Sequence, residues 1–361
     1  MLLLRRQLST SSRRALSTAL PGVGHSGHLS QDSSLRNQHD GPANPLQGLN
    51  VFAHAQKYLF DLNGYLVLPN VFDDAFVRRA NDAVDAHVDR LFERRGKLRT
   101  SGLYGRESQQ LAGDGTTGRM DLGGMLGWDA PHRDPFRELL CHPMVACALH
   151  ELVGVGYRLD HSPLMIAQER GSEGHTLHGG AVTESGEPAW PLAYDFKLGQ
   201  MRNQLLTVCL QLADSKEGDG GFCVVPGSHK ANFPVPPALA DLADPGLNEF
   251  VKQPAIAPGD VLIFTEAVLH GTLPWMADHQ RRTVIYRFAP AGSAYGRGYH
   301  PTWPAEALEG MSDAQLAVMQ PPYHPRMNRT TIGADGEAVL ARPREQFKVE
   351  FDEQVFGSRY F

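Results

Sequence analysis

The sequence predicts a mainly β protein in which helices precede an antiparallel core arranged as a sandwich or barrel. From about residue 157 onward, short apolar runs follow one another: Leu164–Ala167, Leu205–Leu212, Phe222–Val225, Val261–Phe264 and Val284–Phe288. Turn clusters separate them, notably Gly218-Asp219-Gly220-Gly221, Pro226-Gly227 and Pro258-Gly259-Asp260. Glycine (37) and proline (25) make up about 17% of the 361 residues, against a usual value of about 12%. That surplus favours many turns and short strands.

The elements ahead of the core follow in order. Asn63-Gly64 introduces the apolar run Tyr65–Leu68, a short strand. Asp73 or Asp74 then caps a helix in which Phe76, Ala80, Val84, Val88 and Leu91 recur at helical spacing, with Gly96 as its stop. A second helical region covers Asp134–Gly154 and is broken at Pro143. Within the core region, Ala181–Leu198 reads as an inserted loop, and its Trp190 and Tyr194 are candidates to line a pocket. Pro226-Gly227 fits a type II turn, with Pro fixing φ and Gly accepting φ > 0. That makes His229 and Lys230 structural or rim residues. Residues 301–361, with one helix at Ser312–Met319, form an extension expected to pack on the core.

Composition narrows the function. The chain is 42% hydrophobic and 20% charged, which is globular. No apolar run approaches the ~18 residues of a membrane span. A formal charge of −6 does not suit nucleic acid. Four cysteines without a CxxC fit a reducing intracellular compartment. Residues 1–31 hold four arginines, many Ser and Thr and no Asp, Glu or Lys, the composition of an organelle transit peptide. Arginine density favours the mitochondrion over the chloroplast, and a cytoplasmic protein with a basic tail is the alternative. Taking those four charges from −6 leaves −10 on the rest. Residues 32–48 read as a linker and 49–300 as the working domain.

Histidine, 16 in number, is the informative residue type. His175 and His178 lie just before Gly179-Gly180, and His270 closely follows the Val261–Phe264 strand. Imidazoles from two strands with open positions beside them suit Fe(II), whose usual site adds one carboxylate. No nucleophile triad, phosphate loop or dinucleotide fingerprint competes with this reading.

Three segments carry a family resemblance. Gly220–Lys230 (GGFCVVPGSHK) resembles the GxxxVxPGSHK signature of the phytanoyl-CoA dioxygenase family. Phe60–Pro69 is similar to that family's opening element, and Pro258–Phe264, His270-Gly271-Thr272 and Arg281–Tyr286 are similar to its closing module. The resemblance implies a double-stranded β-helix (jelly-roll or cupin-like) enzyme using Fe(II), 2-oxoglutarate and O2. It places the distal iron ligand at His270 and the clamp on the far 2-oxoglutarate carboxylate at Arg281, with Thr272 beside it. A guanidinium suits that role because it meets a carboxylate bidentately. Arg282 stays as the alternative, since neighbouring strand residues face opposite ways.

The proximal motif departs from the family's His-x-Asp/Glu, because Gly180 stands where the acid belongs. His178 is the expected proximal ligand, with His175 as the other register. The missing oxygen leaves three readings: a carboxylate from elsewhere (Asp195, then Glu184 or Glu187), a vacancy filled by halide as in related iron halogenases, or loss of metal. The expected function is hydroxylation of an unactivated C–H bond in a small organic or acyl substrate. A radical halogenase or a non-catalytic ligand-binding protein are the rivals. Gln204 and Thr207 are further candidate cofactor contacts.

Overall fold

A computed structural model describes residues 54–102, 107–295, 303–323, 329–341 and 345–357, all within one compact unit, Pro45–Phe361. The proposed transit peptide and linker lie outside the described residues. In chain order the elements are α1 (His54–Asn63), β1 (Tyr65–Leu68), α2 (Asp74–Asp85), β2 (Phe92–Glu93), β3 (Met120–Gly123), α3 (Asp134–Glu138) and α4 (Pro143–Leu152). There follow β4 (Arg158–Gln168), β5 (His175–His178), β6 (Tyr194–Lys197), β7 (Gln200–Asn203), β8 (Leu206–Gln211), β9 (Gly221–Val224), α5 (Pro237–Ala240) and α6 (Pro245–Asn248). The chain continues with β10 (Val261–Thr265), β11 (His270–Leu273), β12 (Arg281–Ala289), α7 (Ala305–Leu308), α8 (Asp313–Val318), β13 (Arg329–Ile332), β14 (Ala338–Ala341) and α9 (Gln346–Phe356).

A seven-stranded sheet in the order β1-β10-β8-β12-β4-β3-β2 faces a three-stranded sheet in the order β5-β11-β9, the two sheets of a double-stranded β-helix. Alternation along the large sheet gives its faces different work. Val284, Tyr286 and Phe288 of β12 join Leu206, Val208, Leu210, Val261 and Ile263 in the main core, together with Phe76, Leu139, Val145 and Leu149 of the helical segments. The opposite face carries Arg281, Thr283, Ile285 and Arg287 of β12 with Leu164 and Ile166 of β4, and these line an interior cavity. No helix of the described residues is long and apolar enough to cross a membrane.

Asp73 caps α2 by accepting from the Phe76 N–H at 2.8 Å. The helix ends at Asp85, short of the expected Leu91. His87 leaves the helical region (φ −126°, ψ 19°), its ring stacked on Trp128 at 3.8 Å and its Nδ1–H donated to the Ala83 carbonyl. Packing of one side chain thus overrides an otherwise continuous apolar period, and Val88–Arg90 form only a 3₁₀ turn. Pro143 breaks the second helical region by starting α4 at its first turn. Ala307, Val318, Met319 and Ile332 from the last sixty residues are buried in the main core. The Arg137 guanidinium donates to the carbonyls of Leu126, Glu306, Ala307 and Glu309.

The GSHK turn is a clamp. Gly227 takes φ 81°, ψ −9°, and the Ser228 N–H reaches the Val225 carbonyl at 3.3 Å, a type II turn. The Gly227 N–H binds the Asn63 carbonyl at 3.0 Å, His229 Nε2 donates to the Asp61 carbonyl at 3.0 Å, and Lys230 Nζ lies 2.8 Å from the Asp61 carboxylate. Gly64 closes the contact at φ +78°, where a Cβ would fall 2.6 Å from His229 Nδ1. Gly64→Ala is therefore expected to cost about 2–4 kcal/mol, from backbone strain plus overpacking. Urea unfolding of the two proteins at equal m-value measures it.

Candidate active site

The cavity, about 200 Å³, lies between the two sheets. His270 opens β11 and pairs with His178 at the end of β5, so the two rings face each other with centroids 4.3 Å apart. On β11 the next paired residue is Thr272, two positions on, but its partner on β5 is His175, three positions back. That extra residue is a β-bulge, and it turns two histidines at i and i+3 toward the same side. The His175 and His178 rings consequently lie 4.3 Å apart, and both line the cavity.

Each ring is fixed by its Nδ1. His178 bonds the Thr176 carbonyl at 3.0 Å and His270 the Val268 carbonyl at 2.8 Å. A carbonyl only accepts, so each Nδ1 carries the proton and each Nε2 presents a lone pair. His175 Nδ1 is held the same way by the Thr176 carbonyl at 2.7 Å. Burial keeps the rings neutral: it lowers His178 well below the usual imidazole range, lowers His270, and brings His175 down to about 4.

A carboxylate completes the group. Glu266, in the turn between β10 and β11, places Oε2 3.6 Å from His270 Nε2. Donor atoms of His178, Glu266 and His270 all lie within 4.8 Å of one another. Burial alone would raise the Glu266 carboxyl. The Arg287 charge, His270 and hydrogen bonds from Thr207 Oγ1 and Arg287 Nε (2.7 Å) outweigh it, and the group stays ionised with its value down at about 2. Both of those bonds go to Oε1, which leaves Oε2 for the cluster. Two neutral imidazoles with Nδ1 tied back and one buried anion form a donor set that fits a hard-to-borderline divalent metal.

The Gly179-Gly180 pair explains both the missing acid and its replacement. At Gly179 (φ +97°) a Cβ would fall 2.5 Å from the Val268 carbonyl oxygen and 2.8 Å from that of Glu266. Gly180 (φ +105°) donates to the Ala267 carbonyl at 2.9 Å. Its backbone conformation is strained for an aspartate, and the close approach at Gly179 brings the turn bearing Glu266 against His178.

Arg281 occupies the other end of the cavity. It is 3% exposed, and among the described residues it has no carboxylate partner. Its one side-chain hydrogen bond among the described residues is from Nη1 to Gln168 Oε1 at 2.6 Å. Burial lowers it to about 10, so the guanidinium stays charged at neutral pH. Gly221 makes room for it, since a Cβ there would lie 3.1 Å from Arg281 Nε. Arg282 points to the helix side instead, bound to Asn81 Oδ1 at 2.9 Å and Asp85 at 2.7 Å. Thr272 is buried on the cavity wall.

Other expectations are corrected. Asp195 is exposed on the β6–β7 hairpin, beside a second pocket lined with Asp61, Tyr194, Phe196 and Lys230. Glu184 and Glu187 are exposed too, and none of the three joins the histidines. The reason is the hairpin itself: residues 194–203 pair with each other as β6 and β7, which leaves Asp195 exposed. Trp190 is 71% exposed, while Tyr194 lines the second pocket, bonds Asp61 and packs on His229, apart from the histidine cavity. Thr207 contacts Glu266, but Gln204 bonds Ser293 at 3.0 Å. Glu266 went unread in the sequence. Its only signal is an acid four residues before His270 inside the apolar run Phe264–Leu269.

The model of the family described as phytanoyl-CoA dioxygenase matches residues 60–283. The chain belongs to the phytanoyl-CoA dioxygenase family. It is thereby an Fe(II)- and 2-oxoglutarate-dependent dioxygenase, with O2 as the co-substrate of the class. Among solved structures it is similar to HygX from Streptomyces hygroscopicus. With nickel and 2-oxoglutarate bound, that protein aligns at 20% identity and TM-score 0.53 over 71% of this chain and 94% of HygX. With iron bound, the values are 19%, 0.52, 71% and 93%. The likeness bears on the fold. No curated protein matches the chain in sequence.

Arg287 is what keeps the Glu266 carboxylate ionised. A carboxyl held down in this way is stabilising above its ordinary range and loses that contribution as pH falls toward the lowered value. Arg287→Met removes the charge and lets burial raise Glu266. The variant is expected to retain a divalent metal about tenfold or more less tightly, with the deficit growing from about pH 8 to about pH 5. Metal content after equilibrium dialysis across that range checks it.

Proposed function

We propose that His178, His270 and Glu266 hold Fe(II) and that Arg281, with Thr272 beside it, anchors the far carboxylate of 2-oxoglutarate, in an oxygenase that hydroxylates a C–H bond of a small organic substrate. The observation that carries the reading is the pairing of two features in one cavity: a 2-His-1-carboxylate donor set and a buried guanidinium with no anion of its own. An unpaired buried cation is costly unless a ligand supplies the counter-charge. Bound at the donor set, Fe(II) supplies the O2 activation that couples loss of CO2 from 2-oxoglutarate to oxidation of the substrate.

The chain's own residues do the rest. Carbonyls of Thr176 and Val268 orient the imidazoles, and Thr207 and Arg287 orient Glu266. Phe222, Ile256, Leu262 and Phe264 wall the cavity and keep water from the reacting centre. The halide reading of Gly180 loses its motive, because the oxygen donor missing at position 180 is available from Glu266. Localisation in the mitochondrion is part of the same proposal, on the composition of residues 1–31 alone.

Anaerobic Fe(II) titration with 2-oxoglutarate, followed by the metal-to-ligand charge-transfer band, tests the assignment. The band is expected in the natural protein and in Asp195→Ala, and absent in His270→Ala and Glu266→Ala, which should also lose Fe(II) on gel filtration. Arg281→Lys should keep iron but need about tenfold or more 2-oxoglutarate, the scale of a lost charge-assisted hydrogen bond. Iron retention by folded Glu266→Ala, or its loss in Asp195→Ala, overturns the ligand set.

A further inference from the structure

Beside the proposed iron and 2-oxoglutarate positions, the cavity wall holds a second cationic site. Arg119 sits one residue before β3 and Arg94 one residue after β2, joined by the backbone bond from Arg94 N–H to the Arg119 carbonyl at 2.8 Å. Both guanidiniums line the cavity next to His175. They share one carboxylate: Arg119 Nε donates to Asp121 Oδ1 at 2.8 Å, and Arg94 Nε donates to Asp121 Oδ2. Each contact uses Nε alone, and among the described residues no acceptor takes the four Nη groups. Arg119 is only 6% exposed. The next carboxylate, Glu173, is held by Arg99 at 2.8 Å, the Ser101 hydroxyl and the N–H groups of Thr100 and Ser101.

Three arginines with two carboxylates leave one positive charge uncompensated at this wall. Arg281 is a separate demand, met under the reading above by the far carboxylate of 2-oxoglutarate. A planar fork with free Nη groups meets an oxyanion bidentately, and burial strengthens the contact. The neighbouring His175 offers a bare Nε2, an acceptor for a hydroxyl or N–H on the same ligand.

We infer that Arg94 and Arg119 form the anchor for an oxyanion, a carboxylate or phosphate, on the primary substrate. The assignment of the anion to the substrate rests on the preceding reading, in which Arg281 serves 2-oxoglutarate. The enzyme therefore takes acidic small molecules, and Asp121 holds the two forks in register while lowering their pull on the ligand.

The test is anaerobic calorimetry on protein loaded with Fe(II) and saturating 2-oxoglutarate, titrated with benzoate, phenyl phosphate and benzamide as probes. One or both anions should bind, and benzamide at least tenfold more weakly. The better anion tells carboxylate from phosphate. Arg119→Gln should weaken the better anion tenfold or more and Arg94→Gln severalfold, with the 2-oxoglutarate requirement of both within twofold of the natural protein. Asp121→Asn should bind the anion more tightly, an opposite sign that a merely structural ion pair does not give and that loss of folding cannot mimic. Equal affinity for benzamide, no uptake of either anion, or weaker binding by Asp121→Asn overturns the proposal. Loss of 2-oxoglutarate affinity in Arg119→Gln matching that in Arg281→Lys also overturns it, because the anion would then be the cosubstrate. Absence of the charge-transfer band in the natural protein would instead overturn the iron reading, and the calorimetric anion series still decides this one.

Discussion

The backbone of Gly179 passes so close to the 266–268 turn that no side chain fits between them, and the site is built on that contact. It seats the end of β5 against the start of β11, which sets His178 opposite His270. It also presses the turn carrying Glu266 toward both rings. A side chain at Gly179 would push β5 away from the turn and widen the donor set. The backbone angles reinforce this, since φ near +100° is open to glycine and strained for an aspartate. An acid at position 180 would carry that backbone strain. The chain's carboxylate comes from the other side of the same contact.

Electrostatics then divides the cavity. Burial favours the neutral form of the three imidazoles, which is the form that offers a lone pair. The same burial would neutralise Glu266, but Arg287 and the Thr207 hydroxyl outweigh it. Arg281 remains a cation at neutral pH although burial and the nearby Arg119 charge both lower it, and its other near neighbours are neutral: Cys209 and Cys223, whose thiols burial pushes up to about 12, and Gln168. A buried charge without a partner is expensive in the folded protein, so Arg281 is a site shaped by its ligand more than by the core.

Much of this was legible in the sequence, and the failures have physical causes. Alternation of apolar residues with turn clusters marked the five core runs, and each falls in or overlaps a strand of the two sheets. Arg281 and Arg282 were a choice of strand face, and the register settles it: odd-numbered residues of β12 face the cavity while Arg282 reaches Asn81 and Asp85 of α2. His175 and His178 could not be chosen between by period, because a bulge suspends the period and puts both on one side. Glu266 was missed for a related reason. Sequence distance from His178 suggested a loop folding back from residue 195, whereas the spatial neighbour of β5 is β11, reached some ninety residues later.

The arrangement of donors and cations across the two sheets is more than adjacency. The three imidazoles and Thr272 all come from β5 and β11 of the small sheet. Arg281 and Arg287 come from β12 of the large sheet, and Asp121 of β3 lies on the same sheet with Arg94 and Arg119 beside it. The imidazole lone pairs and the guanidinium protons therefore sit on opposite walls, which separates groups that would otherwise compete for each other. Glu266 is the exception because it lies on the connection between the walls, leaving β10 of the large sheet and entering β11 of the small one. One of its oxygens is bound by Arg287 and the other faces His270, so it works as an anion for both sheets. A carboxylate at position 180 would have sat on the small sheet alone, leaving Arg287 as a second buried cation without a partner. The relocated acid meets that demand and, under the proposed function, the metal's with one charge, a physical reason for Arg287 and Gly180 to occur in the same chain.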